Sequence, residues 1–129
     1  MKFSLQSRRC TSGFTFIEII IVITIIGLLV AIAIPKAMQA RDTSRLNIIY
    51  NNLRQIEHAK ELWALDQKKT NGTVVSDMSV LGGYLKGGRV QDVMKETYSA
   101  NAVGVRAEAE LPAGEPLGPY GPGQSIPTP

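Results

Sequence analysis

Hydrophobic positions change their spacing along this chain, and each change predicts a different element. From Ile19 to Ile34 they are continuous: in these sixteen residues only Thr24 and Gly27 are not strongly hydrophobic. Counted from Phe14 the stretch holds 21 residues, which as a helix at ~1.5 Å per residue spans roughly 31 Å, about one bilayer hydrocarbon core. Within it, Gly27 permits close helix contact and Thr24 is expected to bond back to its own helix. Beyond Pro35 the pattern turns amphipathic. Leu46, Ile49, Leu53, Ile56, Leu62 or Trp63, and Leu65 recur at spacings near three and four, one face of a helix. Charges are expected on the opposite face, with Glu57/Lys60 and Asp66/Lys69 spaced to pair. Lys68 and Lys69 followed by Asn71-Gly72 read as a helix stop. One helix is therefore predicted from Phe14 to about Lys69. Pro35 lacks an amide hydrogen and crowds the preceding turn, so a kink is expected around Ile32 to Pro35.

After the helix the period shortens. Ser76-Asp77 before Met78, Val80 and Leu81 predicts a short helical turn capped by Ser76, with glycine pairs at 82–83 and 87–88 breaking what surrounds them. Val105, Ala107, Ala109 and Leu111 alternate with Arg106, Glu108 and Glu110, the mark of a strand with one buried face. Thr97 to Ala102 is placed to pair with it in a hairpin turning through Asn101 to Gly104. Ten of the nineteen residues 111–129 are Pro or Gly, which reads as an extended, loosely ordered tail. The fold class that follows is α+β: a long N-terminal helix carrying a small antiparallel β head. The head is too small to hold a core without the helix as its spine.

Charge and chemistry narrow the function. The chain carries 14 Lys and Arg against 11 Asp and Glu. His58, the only histidine, lies on the amphipathic stretch beside Glu57 and Glu61 with no nucleophile in view, so it reads as a solvated or packing residue rather than a general base. No Gly-rich phosphate loop, Cys/His ligand set or Ser-His-Asp arrangement is legible, so no catalytic residue, cofactor or metal is expected. Trp63 reads as core. The informative group is Glu18, one carboxylate at the start of the apolar run. An acid at the centre of a membrane helix costs about 2.5–3.5 kcal/mol on insertion scales, and less near its end. Such a group usually marks a partner. A secretory signal peptide, with Ala31-Ile32-Ala33 as a nominal cleavage site, and an uncleaved signal anchor remain as alternatives; neither accounts for Glu18.

The junction around Glu18 carries a specific resemblance. A basic polar leader ending in Gly13, then Phe14-Thr15-Phe16-Ile17-Glu18 and the apolar run, resembles the type III signal sequence of type IV pilins and of the pseudopilins of type II secretion and DNA-uptake machines. The match covers residues 8–36, Pro35 included. The resemblance implies that a prepilin peptidase cuts between Gly13 and Phe14 on the cytoplasmic side and N-methylates Phe14. It implies further that Glu18 pairs with the N-terminal amine of a neighbouring Phe14. Lys2, Arg8, Arg9 and the single cysteine, Cys10, would leave with the leader. The remaining 116 residues (129 − 13) would carry eleven charges of each sign and no thiol. A zero net charge argues against bulk nucleic-acid binding, and the chain departs from the many pilins that close a loop with a disulfide. Residues 53–64 and Tyr84-Leu85 are similar to pseudopilin-like proteins, and Glu115-Pro-Leu-Gly-Pro-Tyr120 resembles a stretch of the major type II secretion pseudopilin. In that protein acidic loop residues then build a calcium site. Nothing after Glu115 is acidic here, so no such site is expected.

The organisation implied is a leader (1–13), a transmembrane and filament-core helix (14–34), its amphipathic continuation (35–69), a small head (70–111) and a Pro/Gly-rich tail (112–129). Three basic residues before the span and Lys36, Arg41 and Arg45 after it nearly balance. The cleavage motif, not charge, therefore sets the expected orientation: a single pass in a bacterial inner membrane with the head outside the cytoplasm. Expected partners are further copies in a homo-oligomeric filament, the prepilin peptidase and an inner-membrane assembly platform, with no small-molecule substrate. The expected function is a structural subunit of a type IV pilus-like filament, not an enzyme, and having Glu18 argues for a body subunit. A pseudopilin of a secretion or uptake machine is the alternative within that class. A monomeric membrane-tethered binding protein using its Pro-rich tail as a ligand is the alternative outside it.

Overall fold

The computed structural model describes residues 13–129, so Cys10 and the rest of the expected leader up to residue 12 lie outside the described residues. A single long helix, α1 (Phe16–Asp66), is followed by a short 3-10 helix (Met78–Leu81) and three strands, β1 (Thr97–Ser99), β2 (Glu108–Glu110) and β3 (Ser125–Pro127). The chain divides into two units, Met1–Ala37 and Met38–Pro129.

In the first unit, every side chain from Phe14 to Ile34 is exposed. This helix is long and apolar enough to cross a membrane by length and composition. Thr24 bonds back as its residue type predicts, its hydroxyl donating to the Ile20 carbonyl at 2.7 Å. Pro35 lies inside α1, and the helix runs through it without a break.

In the second unit the spacing of apolar residues is realised as a buried stripe. Ile49, Leu53 and Ile56 are fully buried, and Ala59, Trp63 and Ala64 continue the face. Burying each large aliphatic side chain contributes about 1.5–3 kcal/mol. Trp63, not Leu62, takes the core position, and Leu65 is 77% exposed instead of lying on the buried face. Leu65 is still helical but stands two residues past Trp63, about 200° round the axis, so it faces away from the stripe. The helix ends just beyond it. Lys68 adopts a left-handed conformation (φ 50); its N–H donates to the Leu65 carbonyl at 3.3 Å and the Lys69 N–H to the Ala64 carbonyl at 2.8 Å. This pair of bonds is a Schellman stop built on a lysine rather than a glycine. Lys68 and Lys69 therefore lie past the helix, and Gly72 (φ 87) serves a separate turn.

The 3-10 helix is capped one residue later than the sequence reading has it. Asp77, not Ser76, accepts from the Ser79 N–H. The sheet is antiparallel in the order β1-β2-β3. Tyr98 faces Ala109, and Ala109 faces Ile126. The expected hairpin forms, but its strands are shorter than the alternation suggested, because Ala102 and Val103 pair with residues 72–74 instead. Val105 accordingly stays half exposed while Ala107, Ala109 and Leu111 are buried.

The expectation of a loosely ordered tail is overturned. Residues 125–127 form the third strand, Leu117 and Ile126 are fully buried, and Thr128 donates to the Ala107 carbonyl through both its N–H (3.0 Å) and its hydroxyl (2.8 Å). Proline and glycine lower helix and strand propensity, but two well-placed apolar side chains and an open edge on β2 suffice to order the segment.

Candidate functional site

The residues singled out in the sequence fall at the start of α1. Gly13 and Phe14 precede the helix, and Phe14 is 76% exposed. A Cβ added at Gly13 would meet nothing within 4 Å. Nothing in the chain's own fold therefore calls for glycine there. Thr15 caps the helix: its carbonyl accepts from the N–H groups of Glu18 (3.1 Å) and Ile19 (3.3 Å). Its hydroxyl accepts from the Glu18 N–H at 3.4 Å, and Glu18 Oε2 accepts from the Thr15 N–H at 3.5 Å. These two long, reciprocal contacts have the form of a capping box, in which an acid three residues into the helix answers the cap. The Thr-x-x-Glu spacing was legible in the sequence and was read only as part of the junction motif. Glu18 is thus held locally by a backbone N–H, while its side chain meets no cation of the described chain.

A second set of ionised groups was misplaced by sequence reasoning. Glu57 and Lys60 do pair, at 3.0 Å, but on the buried face of α1: the Lys60 side chain is 1% exposed and that of Glu57 24%. Lys60 Nζ also donates to the carbonyls of Ala100 (2.9 Å) and Val105, and Glu57 Oε1 accepts from the Ala107 N–H. All three ammonium protons are used, so the pair fastens the β1–β2 connection to the helix. The signal was present: Ile49, Leu53, Ile56, Lys60 and Trp63 follow one alternation of four and three. The other expected pair does not form. Asp66 accepts instead from the Tyr84 hydroxyl at 2.6 Å and the Gln67 amide at 3.0 Å. The Tyr84 hydrogen bond and then the Gln67 one hold the Asp66 carboxyl below its usual range.

Glu96 makes a further network. Its carboxylate accepts from the N–H groups of Val93 (2.9 Å) and Met94 (2.6 Å) and from the Tyr98 hydroxyl (2.6 Å). Asn52 on α1 donates to the Tyr98 oxygen at 2.8 Å and to the Gln91 carbonyl at 2.9 Å. Burial pushes the Glu96 pKa up, but the Tyr98 hydroxyl and the two backbone N–H groups outweigh it and hold the carboxyl below its usual value. Burial first, with the Glu96 charge adding to it, pushes the Tyr98 phenol up. These groups are satisfied by one another, and Glu96 and Tyr98 also line an open depression with Met78, Leu85 and Val90. His58 is exposed beside Gln55, Tyr84 and Lys86 in a shallow depression. Among the described residues no three His, Cys, Asp or Glu side chains come together.

Comparison with known proteins bears on the N-terminal site. Residues 8–34 match the prokaryotic N-terminal methylation motif. The chain is 36% identical over 61 residues to the type II secretion system core protein G of Pseudomonas aeruginosa, covering 47% of this chain and 43% of that protein. It is 41% identical over 64 residues to the type IV major fimbrial protein FimA of Dichelobacter nodosus, covering 50% and 40%. It is 29% identical over 65 residues to the core protein G of Aeromonas hydrophila, covering 50% and 45%. The chain thus spans less than half the length of these curated relatives. No solved structure matches it significantly. The methylation motif and about half of the chain's length are thus similar to pilin and pseudopilin subunits, and a long apolar helix joined to a small antiparallel sheet accompanies that likeness.

Proposed function

We propose that the chain is a structural subunit of a type IV pilus-like filament, assembled through packing of the Phe14–Ile34 helices and a charge pair between the Phe14 amine of one subunit and Glu18 of another. A prepilin peptidase removes residues 1–13 and methylates Phe14. The subunit then rests in the inner membrane, with residues 14–34 as its span and the rest outside the cytoplasm, until an assembly platform docks it. The observation that carries this reading is Glu18. It sits at the head of a stretch, Phe14–Ile34, whose side chains are all exposed, with only a long contact to its own cap as partner. In a low-dielectric filament core an unpaired carboxylate is costly, and so is a misaligned ammonium. Pairing offsets both costs and sets the axial register. No catalytic role is assigned to any residue. The head serves as the exposed body of the subunit.

A second reading within the family is favoured by the relatives named core protein G: a pseudopilin of a type II secretion machine, with the same processing and the same pair but a short filament confined to the periplasm. Immunoblots of sheared surface material and of membranes, from cells with and without prepilin peptidase, separate the readings. A shortened band in the sheared fraction that disappears without the peptidase is the outcome expected for a pilus. A shortened band confined to membranes supports the pseudopilin. A full-length band in both strains would overturn processing altogether and leave a signal anchor or a monomeric tethered protein.

A further inference from the structure

Between β2 and β3 the chain leaves the sheet and returns to it through a closed neck. The Leu111 N–H donates to the Gln124 carbonyl at 3.1 Å, the Gly121 N–H to Gln124 Oε1 at 2.7 Å, and the Gln124 N–H to the Gly121 carbonyl at 3.2 Å. At the far end Leu117 and Tyr120 exchange two backbone hydrogen bonds, of 2.8 and 3.1 Å. A loop with its ends together and its own internal bonds is a self-contained unit.

This loop is held to α1 by few groups. Leu117 is fully buried, and Gly118 passes so close to the helix that an added Cβ would lie 2.9 Å from Leu46 Cδ1. The hydroxyls of Tyr120 and Tyr50 lie 3.1 Å apart. Glu115 and Arg45 approach to 3.8 Å with the Glu115 side chain 68% exposed, a weak surface pair. No backbone hydrogen bond joins residues 112–123 to α1 among the described residues. The strand that follows is held differently: three register pairs to β2, a fully buried Ile126, and two bonds from Thr128 to the Ala107 carbonyl.

We propose that residues 112–123 form a lid that opens from α1 as a unit, with Leu117 as its plug, while the Leu111–Gln124 neck and β3 remain on the sheet. Opening bares Leu46 and Tyr50, which the closed loop covers, and leaves the rest of the head folded. Regions with few buried side chains and few backbone bonds to the remainder open at low free energy. The prolines favour reclosure, because they restrict the conformations available to the opened loop.

The test is thiol labelling of the full chain in detergent micelles, with Cys10→Ser as background and either Leu117→Cys or Ile126→Cys as the reporter. Both reporters replace a fully buried aliphatic side chain with a smaller one. Under native conditions Leu117→Cys is expected to label at least about tenfold faster than Ile126→Cys, as local opening without sheet opening requires. Adding Gly118→Val, which drives a side chain into Leu46, is expected to speed the first reporter and leave the second unchanged. Tyr120→Phe is a milder variant that removes only the hydroxyl pair, so it should act in the same direction without threatening the fold. Equal labelling of the two reporters, or parallel acceleration of both by Tyr120→Phe, would overturn the proposal and make loop and strand one cooperative unit.

Discussion

The two units of this chain handle charge on an apolar helix in opposite ways. In the second unit Lys60 is as deeply buried as the core around it, yet the chain supplies every partner it needs: Glu57 and the carbonyls of Ala100 and Val105. In the first unit Glu18 stands at the head of an apolar helix with only its own cap, at 3.5 Å, to answer it. A charge that the chain satisfies internally serves the fold. A charge left without a counter-ion in an apolar stretch calls for a partner from outside, and the proposed function supplies one.

The comparison can be broken first at Lys60. Lys60→Met removes the cation and strands Glu57 and two carbonyls, a loss of about 3 kcal/mol or more, since removing one partner of a buried pair leaves the other uncompensated. Urea unfolding in detergent, followed by the fluorescence of Trp63, the only tryptophan, reads this directly. An unchanged midpoint would mean that the buried pair does not hold the head. Next in size is Leu117→Ala, expected to cost about 2–3 kcal/mol by the same readout, because it empties a fully buried site.

A smaller effect sharpens the contrast through pH. The Glu96 carboxyl is held below its usual pKa, so the folded state binds its proton less readily than the unfolded chain does. Its stabilisation is complete above the unfolded value, near ~4.3, and is lost as pH falls through the folded value. Glu96→Gln should therefore flatten the acid limb of stability; an acid limb as steep as in the parent would show that other carboxyls dominate it. His58→Ala should do least, within about 0.5 kcal/mol, as for an exposed residue with no structural partner. A large change in stability or in filament yield would give His58 a role that nothing in its surroundings suggests.

How far each feature was legible in the sequence follows from the same physics. The span, the long helix and the hairpin came from periodicity, which reports burial averaged over many residues. The site at Gly13, Phe14 and Glu18 came from a local pattern, and the family comparison falls on the same residues, 8–34. Lys60 was misplaced because residue type was given more weight than spacing. Its position on the stripe was correct, and its charge suggested the wrong face. Leu65 failed for a different reason: it stands two residues past Trp63, which at about 3.6 residues per turn carries it to the opposite face of the helix. The segment 112–129 was misread because Pro and Gly content reports local propensity, whereas Leu117, Ile126 and the open edge of β2 report tertiary demand. Such demand becomes visible only when the partners are in place.

The measurement closest to the central claim is incorporation of Glu18→Ala into filaments, made beside mass spectrometry of the mature N-terminus. The account predicts a variant that is cleaved after Gly13 and present in the membrane, but absent from assembled filaments. Filaments formed from processed Glu18→Ala subunits at the parent's yield would contradict the pairing on which the account rests.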